Sequence, residues 1–219
     1  MNMIKIAAFL LAASGFMTIR SAQALDALSS GESGGRPALM LGVNYDLTGS
    51  RLFSDNSTPR YQGGLIKIRA DYQIGTQSFS IGPYLSYLSG ELENSGNNNL
   101  QREFLKIKSY SAGLKTYLDI FYIYVGYSLN QHRLNSTGQI ERAVTMNGSG
   151  PESGVGLSFT FFSYFVLSLG ADVSYASYPA NEGGLTSKTS HLRYGGTVGL
   201  SFVLPSGQSA SKKKRLTFP

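Results

Sequence analysis

Between residues 38 and 204 the chain alternates apolar with small or polar side chains at a period of two, in eight successive segments. A rhythm of that kind is the signature of β-strands. The segments are 38–48, 64–74, 78–89, 104–118, 120–130, 153–162, 165–175 and 191–204. In the second, Ile66, Ile68, Ala70, Tyr72 and Ile74 stand against Lys67, Arg69, Asp71 and Gln73. In the fifth, Phe121, Ile123, Val125, Tyr127 and Leu129 stand against Tyr122, Tyr124, Gly126 and Ser128. Eight strands of ten or more residues leave no room for a second domain. Short joins, around 75–77, 119 and 163–164, alternate with long polar ones at 49–63, 90–103, 131–152 and 176–190. All tight turns therefore fall at one end of an antiparallel meander and all long loops at the other.

Alternation alone fits a membrane barrel and a soluble ligand-binding barrel equally well, because each has one apolar face. The other face separates them. A soluble barrel turns that face to water and covers it with Lys, Glu and Gln. Here it is mostly Gly and Ser, which suits the crowded inside of an eight-stranded barrel. About 9–11 tilted residues cross a bilayer, and short turns at one end with long loops at the other match the outer-membrane arrangement. Aromatic residues gather near strand ends, as girdles do: Tyr45, Tyr72, Phe79, Tyr87, Phe121, Tyr127, Phe161, Tyr175 and Phe202. The predicted fold is all-β, an eight-stranded antiparallel up-and-down transmembrane β-barrel over 38–204, with short periplasmic turns and four long external loops. Pro83 falls inside strand three, cannot donate a ladder hydrogen bond there, and predicts a local bulge. Lys106 and Lys108 share the parity of lipid-facing Tyr110 and Leu114, and their distance from the turn at Asp119 places them above the bilayer.

The ends of the chain read differently. Residues 1–24 carry a basic start, an apolar run over 6–17 and the small-x-small sequence Ala22-Gln23-Ala24, the pattern of a cleaved secretory signal. Residues 25–37 form a small, polar lead-in. Residues 205–219 form a basic tail with Lys212, Lys213, Lys214 and Arg215, expected on the periplasmic side because eight strands return the chain to its starting side. The formal net charge of +6 resides in these ends. Without Lys5, Arg20 and the four tail cations, 13 basic residues face 13 acidic ones. A nucleic-acid partner is therefore not indicated, since that would need cations clustered on a folded face. The absence of cysteine excludes disulfides, a thiol nucleophile and a lipoprotein anchor.

The last segment ends Thr197-Val198-Gly199-Leu200-Ser201-Phe202-Val203-Leu204, with a polar residue at Thr197, then Gly199, aromatic Phe202 and apolar Leu204. With this ending and its eight alternating segments, the chain resembles the small eight-stranded outer-membrane proteins of Gram-negative bacteria, the OmpA/OmpX/OmpW-like superfamily. The resemblance covers about 38–204. It implies residence in the bacterial outer membrane, among its lipids and lipopolysaccharide, and folding by the barrel-assembly machinery that reads the last strand. In much of that family the aromatic residue is final, whereas here fifteen residues follow Leu204.

Seven charged residues share the small-residue face: Asp46, Lys67, Arg69, Asp71, Lys115, Asp172 and Arg193. An isolated buried ion is very unfavourable, so these should pair, Asp46 with Lys67 first. A fixed polar plug and a switchable ion path both follow from such a set. The narrow lumen and the rings of Tyr84, Tyr117, Tyr122 and Tyr124 favour the plug. Little here suits catalysis. The two histidines, His132 and His191, fall in the rim loops, and Leu134 and Arg193 occupy the offset where a deacylase-like His-x-Ser needs serine. Two histidines without cysteine are poor material for a transition-metal site, and no cofactor or metal is expected. Within 131–152, residues 140–146 can extend strands five and six as a protruding hairpin whose edge could pair with a partner. The expected function is that of a monomeric structural or surface-interaction protein with a closed, polar-filled interior, engaging a surface ligand through its external loops. The alternatives are a narrow channel, a lipid A-modifying barrel enzyme and a soluble periplasmic ligand-binding barrel.

Overall fold

The computed structural model describes residues 38–54, 58–75, 79–95, 102–137, 142–161, 164–180 and 188–205. The signal segment with Ala22 and Ala24, the lead-in, and the tail cations Lys212, Lys213, Lys214 and Arg215 lie outside the described residues. The strands are β1 (Ala38–Phe53), β2 (Arg60–Gly75), β3 (Phe79–Asn94), β4 (Arg102–Leu118), β5 (Phe121–Thr137), β6 (Arg142–Phe161), β7 (Phe165–Tyr178) and β8 (Thr189–Pro205). Each pairs antiparallel with its sequence neighbours, and β8 pairs with β1 to close the barrel. The stagger can be followed residue by residue. Val43 lies opposite Ile68, then the path runs through Tyr87, Tyr110, Leu129, Ser149, Ser177 and Ser190 to Phe53. One circuit thus returns to β1 ten residues from its start. Eight strands with that stagger tilt by about 40°.

Apolar side chains point outward over a band bounded by two aromatic belts. Tyr45, Tyr87, Tyr110, Tyr127, Tyr175 and Tyr194 form the external belt, and Tyr72, Phe79, Phe121, Phe161 and Phe202 the periplasmic one. On β8 the band runs ten residue steps, from Tyr194 to Leu204. At about 3.3 Å per residue and a 40° tilt, that is about 25 Å, the height of the lipid-facing zone of such barrels. At the periplasmic end the β4–β5 join is a tight turn at Asp119 and Ile120, with Asp119 in the left-handed region at φ 56°, which Asp tolerates better than most residues.

At the external end the strands run further than the alternation predicts, into the long polar joins, and β5 and β6 rise together, paired as far as Ser136 and Arg142, while residues 140 and 141 of the expected hairpin lie outside the described residues. The cause is a reversal of parity. On β4, Tyr110 and Leu114 face outward, whereas Ile107 and Leu105 face inward and are buried, with Lys106 and Lys108 outside. The same switch occurs between Tyr87 and Leu88 on β3 and between Tyr175 and Ala176 on β7. Below the tyrosine belt the surroundings are hydrocarbon. Above it they are water, so apolar residues move to the inner face. An alternation that changes phase reads in sequence as the end of a strand.

Pro83 makes no bulge. The β2–β3 register is the same on both sides of it, from Asp71↔Tyr84 to Ile74↔Ile81, and the ladder is only interrupted opposite Tyr72 and Gln73, while the β4 ladder runs through Pro83↔Leu114. Gly82 absorbs the defect, for a Cβ there would fall 1.6 Å from the Tyr72 carbonyl oxygen. Gly150-Pro151 repeats the device on β6. The ladder to β7 is interrupted, that to β5 continues, and a Cβ at Gly150 would lie 1.9 Å from the Tyr175 carbonyl oxygen. Gly82→Ala and Gly150→Ala are each expected to cost about 1–3 kcal/mol by overpacking, read as a lower urea midpoint for unfolding from lipid vesicles.

Candidate functional site

The lumen is filled in two layers. In the lower one, Lys67 Nζ is the centre: it contacts Asp46 Oδ2 at 3.0 Å and Asp172 Oδ2, with the Tyr124 hydroxyl at 3.5 Å. That hydroxyl donates to Asp172 Oδ2 at 3.2 Å. Lys115 donates to Asp71 Oδ2 at 3.0 Å and lies over the rings of Tyr117 and Tyr122. Arg69 sits 4.3 Å from the Tyr124 ring centre and 5.1 Å from that of Tyr84, so its guanidinium is held by two aromatic faces. The glycines of the inner face make room for these rings. A Cβ at Gly154 would strike Tyr124, at Gly126 Tyr84, and at Gly170 Tyr122. The predicted Asp46–Lys67 pair is present, and Asp172 joins it from across the barrel.

All seven expected interior charges are buried, and an eighth joins them. Glu152 points inward on β6, accepts from the Tyr84 hydroxyl at 2.7 Å and faces Arg193 NH2 at 3.8 Å. Sequence reading leaves it in a loop, although it shares the parity of Gly154, Gly156 and Ser158. With it, Lys67, Arg69, Lys115 and Arg193 balance Asp46, Asp71, Glu152 and Asp172, and the buried set has zero net charge. On β8, Thr197 and Gly199 line the lumen and Phe202 and Leu204 face lipid.

Above this layer the interior is apolar rather than polar. Leu65, Leu88, Leu92, Leu105, Ile107 and Met146 pack with Tyr61 and Tyr178 into one buried cluster. The two histidines belong to this cap, not to rim loops. His132 on β5 and His191 on β8 point inward, almost fully buried, with ring centres 4.5 Å apart in edge-to-face contact, and the Tyr178 hydroxyl lies 2.6 Å from His132 Nδ1. Both stand above the tyrosine belt, five residues beyond Tyr127 and three beyond Tyr194, outside the membrane-spanning part of their strands. Burial, reinforced by neighbouring Arg193, holds His191 down at about 3, and burial with His191 and Arg193 nearby holds His132 well below the usual histidine range. Both imidazoles are therefore neutral at pH 7.

A closed eight-stranded barrel with a lipid-facing apolar band, two aromatic belts and a filled lumen is a bacterial outer-membrane β-barrel of the small kind. In fold it is similar to Ail, the attachment invasion locus protein of Yersinia pestis, at 16% identity over 77% of this chain and 99% of that one, with a TM-score of 0.44. It is similar also to the outer membrane protein OprG from Pseudomonas aeruginosa, at 10% identity over 79% and 98%, TM-score 0.42. A third is AlkL, determined in DMPC bilayers, at 15% identity over 80% and 93%, TM-score 0.45. At such identities the likeness concerns the fold alone. No family model and no curated protein matches the sequence.

Two outcomes follow from the interior. Lys67→Met strands two buried carboxylates and is expected to cost about 3–5 kcal/mol, and Asp172→Asn in the same chain should recover part of it, both measured by urea unfolding. The histidines set a pH dependence of known sign. Above the ordinary value of 6.5 both states are neutral and stability is flat. As pH falls from 6.5 towards about 3, the unfolded chain takes up protons that the buried His191 excludes, so stability falls. The urea midpoint should be lower at pH 4.5 than at pH 7.5, and His191→Gln should reduce that difference.

Proposed function

We propose that this barrel serves the outer membrane as a surface-interaction protein, with a closed interior that braces rigid strand extensions above the bilayer. The observation that carries this reading is the double filling of the lumen. A charge-balanced layer with four tyrosines lies below, and a hydrocarbon cap in which Leu65, Leu92 and Leu105 have no exposed surface lies above. A hydrated path would have to break both. The extensions are suited to recognition, because their outer faces carry Lys106, Lys108, Gln131, Arg133 and Thr145 on paired strands. Such a surface is fixed in shape before a ligand arrives, which lowers the ordering cost of binding. The two histidines lie among hydrocarbon side chains, which supports a bracing role over lipid modification.

A narrow channel is the second reading. It is favoured by a loose contact in the interior, Arg193 to Glu152 at 3.8 Å, which sits where the two layers meet. Planar-bilayer recording separates the readings. The closed barrel predicts no discrete current steps for the wild type, and stable steps abolished by Arg193→Met would establish the channel instead. Cell-surface crosslinking from cysteines placed at Gln131 and Thr145 should trap a partner that cysteines on the lipid-facing band do not.

A further inference from the structure

On the outer wall, between the aromatic belts, a groove of about 600 Å³ crosses the strands from β7 to β4. It lies between two rows of outward side chains, with Phe202, Leu41 and Ala70 along one edge and Val43, Tyr87 and Tyr110 along the other. Its floor is backbone near Gly42 and Ser201, and the small Ala70 leaves room along it. Because the strands tilt, the groove climbs as it crosses, from Phe165 near the periplasmic belt to Tyr110 in the external one. Five inter-strand spacings of about 4.8 Å give it roughly the length of an extended acyl chain.

Just above its upper end stands a cationic cluster. Lys108 and Lys106 point outward two and four residues beyond Tyr110 on β4, and Arg133 of β5 lies directly opposite Lys106. All three are exposed. Lys106 meets Glu91 at 3.5 Å, whereas Lys108 and Arg133 have no ion-pair partner among the described residues. Like charges directly opposite on paired strands oppose folding, so Lys106 against Arg133 is a cost that a bound anion would remove. At the junction, the rings of Tyr87 and Tyr110 lie 5.0 Å apart, an amphipathic step between hydrocarbon and headgroup.

We infer that this face binds one lipopolysaccharide molecule, with an acyl chain along the groove and a lipid A phosphate against Lys106, Lys108 and Arg133. The inference rests on the outer-membrane placement and not on the closed lumen. The groove lies inside the bilayer band, so its occupant is a lipid chain or a second copy of the barrel, and the cations select the lipid. They stand on the external side, where the leaflet is lipopolysaccharide and its phosphates lie at the boundary between acyl chains and sugar. Charge and hydrocarbon are thus presented in the order in which that lipid carries them.

The test titrates the full barrel, folded in detergent, with bis-phosphorylated lipid A, dephosphorylated lipid A and phosphatidylglycerol, and reads the bound fraction by native mass spectrometry. The triple variant Lys106→Gln, Lys108→Gln, Arg133→Gln should lose about a hundredfold in affinity for phosphorylated lipid A, from about fivefold per cation, and bind the dephosphorylated form as the wild type does. Ala70→Leu fills the groove and should weaken both forms. Equal binding of phosphorylated lipid A by wild type and triple variant would overturn the inference. So would phosphatidylglycerol binding as tightly as lipid A, or a wild-type dimer that Ala70→Leu abolishes. Heat-modifiable gel migration on the same preparations shows that each variant is folded. Wild-type conductance would count against the closed barrel alone and leave this site standing.

Discussion

Closure is the constraint on which the rest depends. A sheet with no edge satisfies its backbone internally and divides space in two, so every side chain on these strands belongs either to the lumen or to the surroundings. The stagger of ten residues in eight strands leaves a lumen that side chains can fill. The lumen's contents are then decided by what lies outside at the same height. Opposite hydrocarbon, the outer face takes the apolar residues and the inner face the polar ones. Opposite water, the roles exchange, and the lumen acquires a hydrocarbon cap stabilised by the same burial that stabilises a soluble core.

That division explains why a charged interior and an apolar one coexist in a single barrel. The lower layer buries eight ionised groups away from bulk solvent, so it matches them in number and holds them with tyrosine hydroxyls and rings. Glu152 shows how strict the balance is. Without it the interior would carry one uncompensated cation, and Arg193 would lose its contact with the Glu152 carboxylate. The cap asks for the opposite chemistry, and its two histidines satisfy it by remaining neutral.

Legibility in the sequence followed the same boundary. Within the membrane band a single parity holds, and the eight strands, the lipid-facing residues and seven of the eight interior charges could be read from it. Above the band the parity reverses, so Leu134, Val144 and Met146 looked like loop, and His132 and His191 looked like rim residues. The proline at position 83 suggested a bulge because the glycine before it, which lets a carbonyl approach closely, has no signal of its own in a Gly-rich strand.

The sequence by itself determined the local facts: period two, the length of each span, the belts at the strand ends and the motif that closes β8. Each depends only on neighbours along one strand. The tertiary structure alone decided which distant groups meet. Lys67 binds Asp172, 105 positions away in sequence, and Arg133 is set against Lys106. Those meetings depend on register and stagger, which are fixed only when the eighth strand pairs with the first. No single strand carries that information.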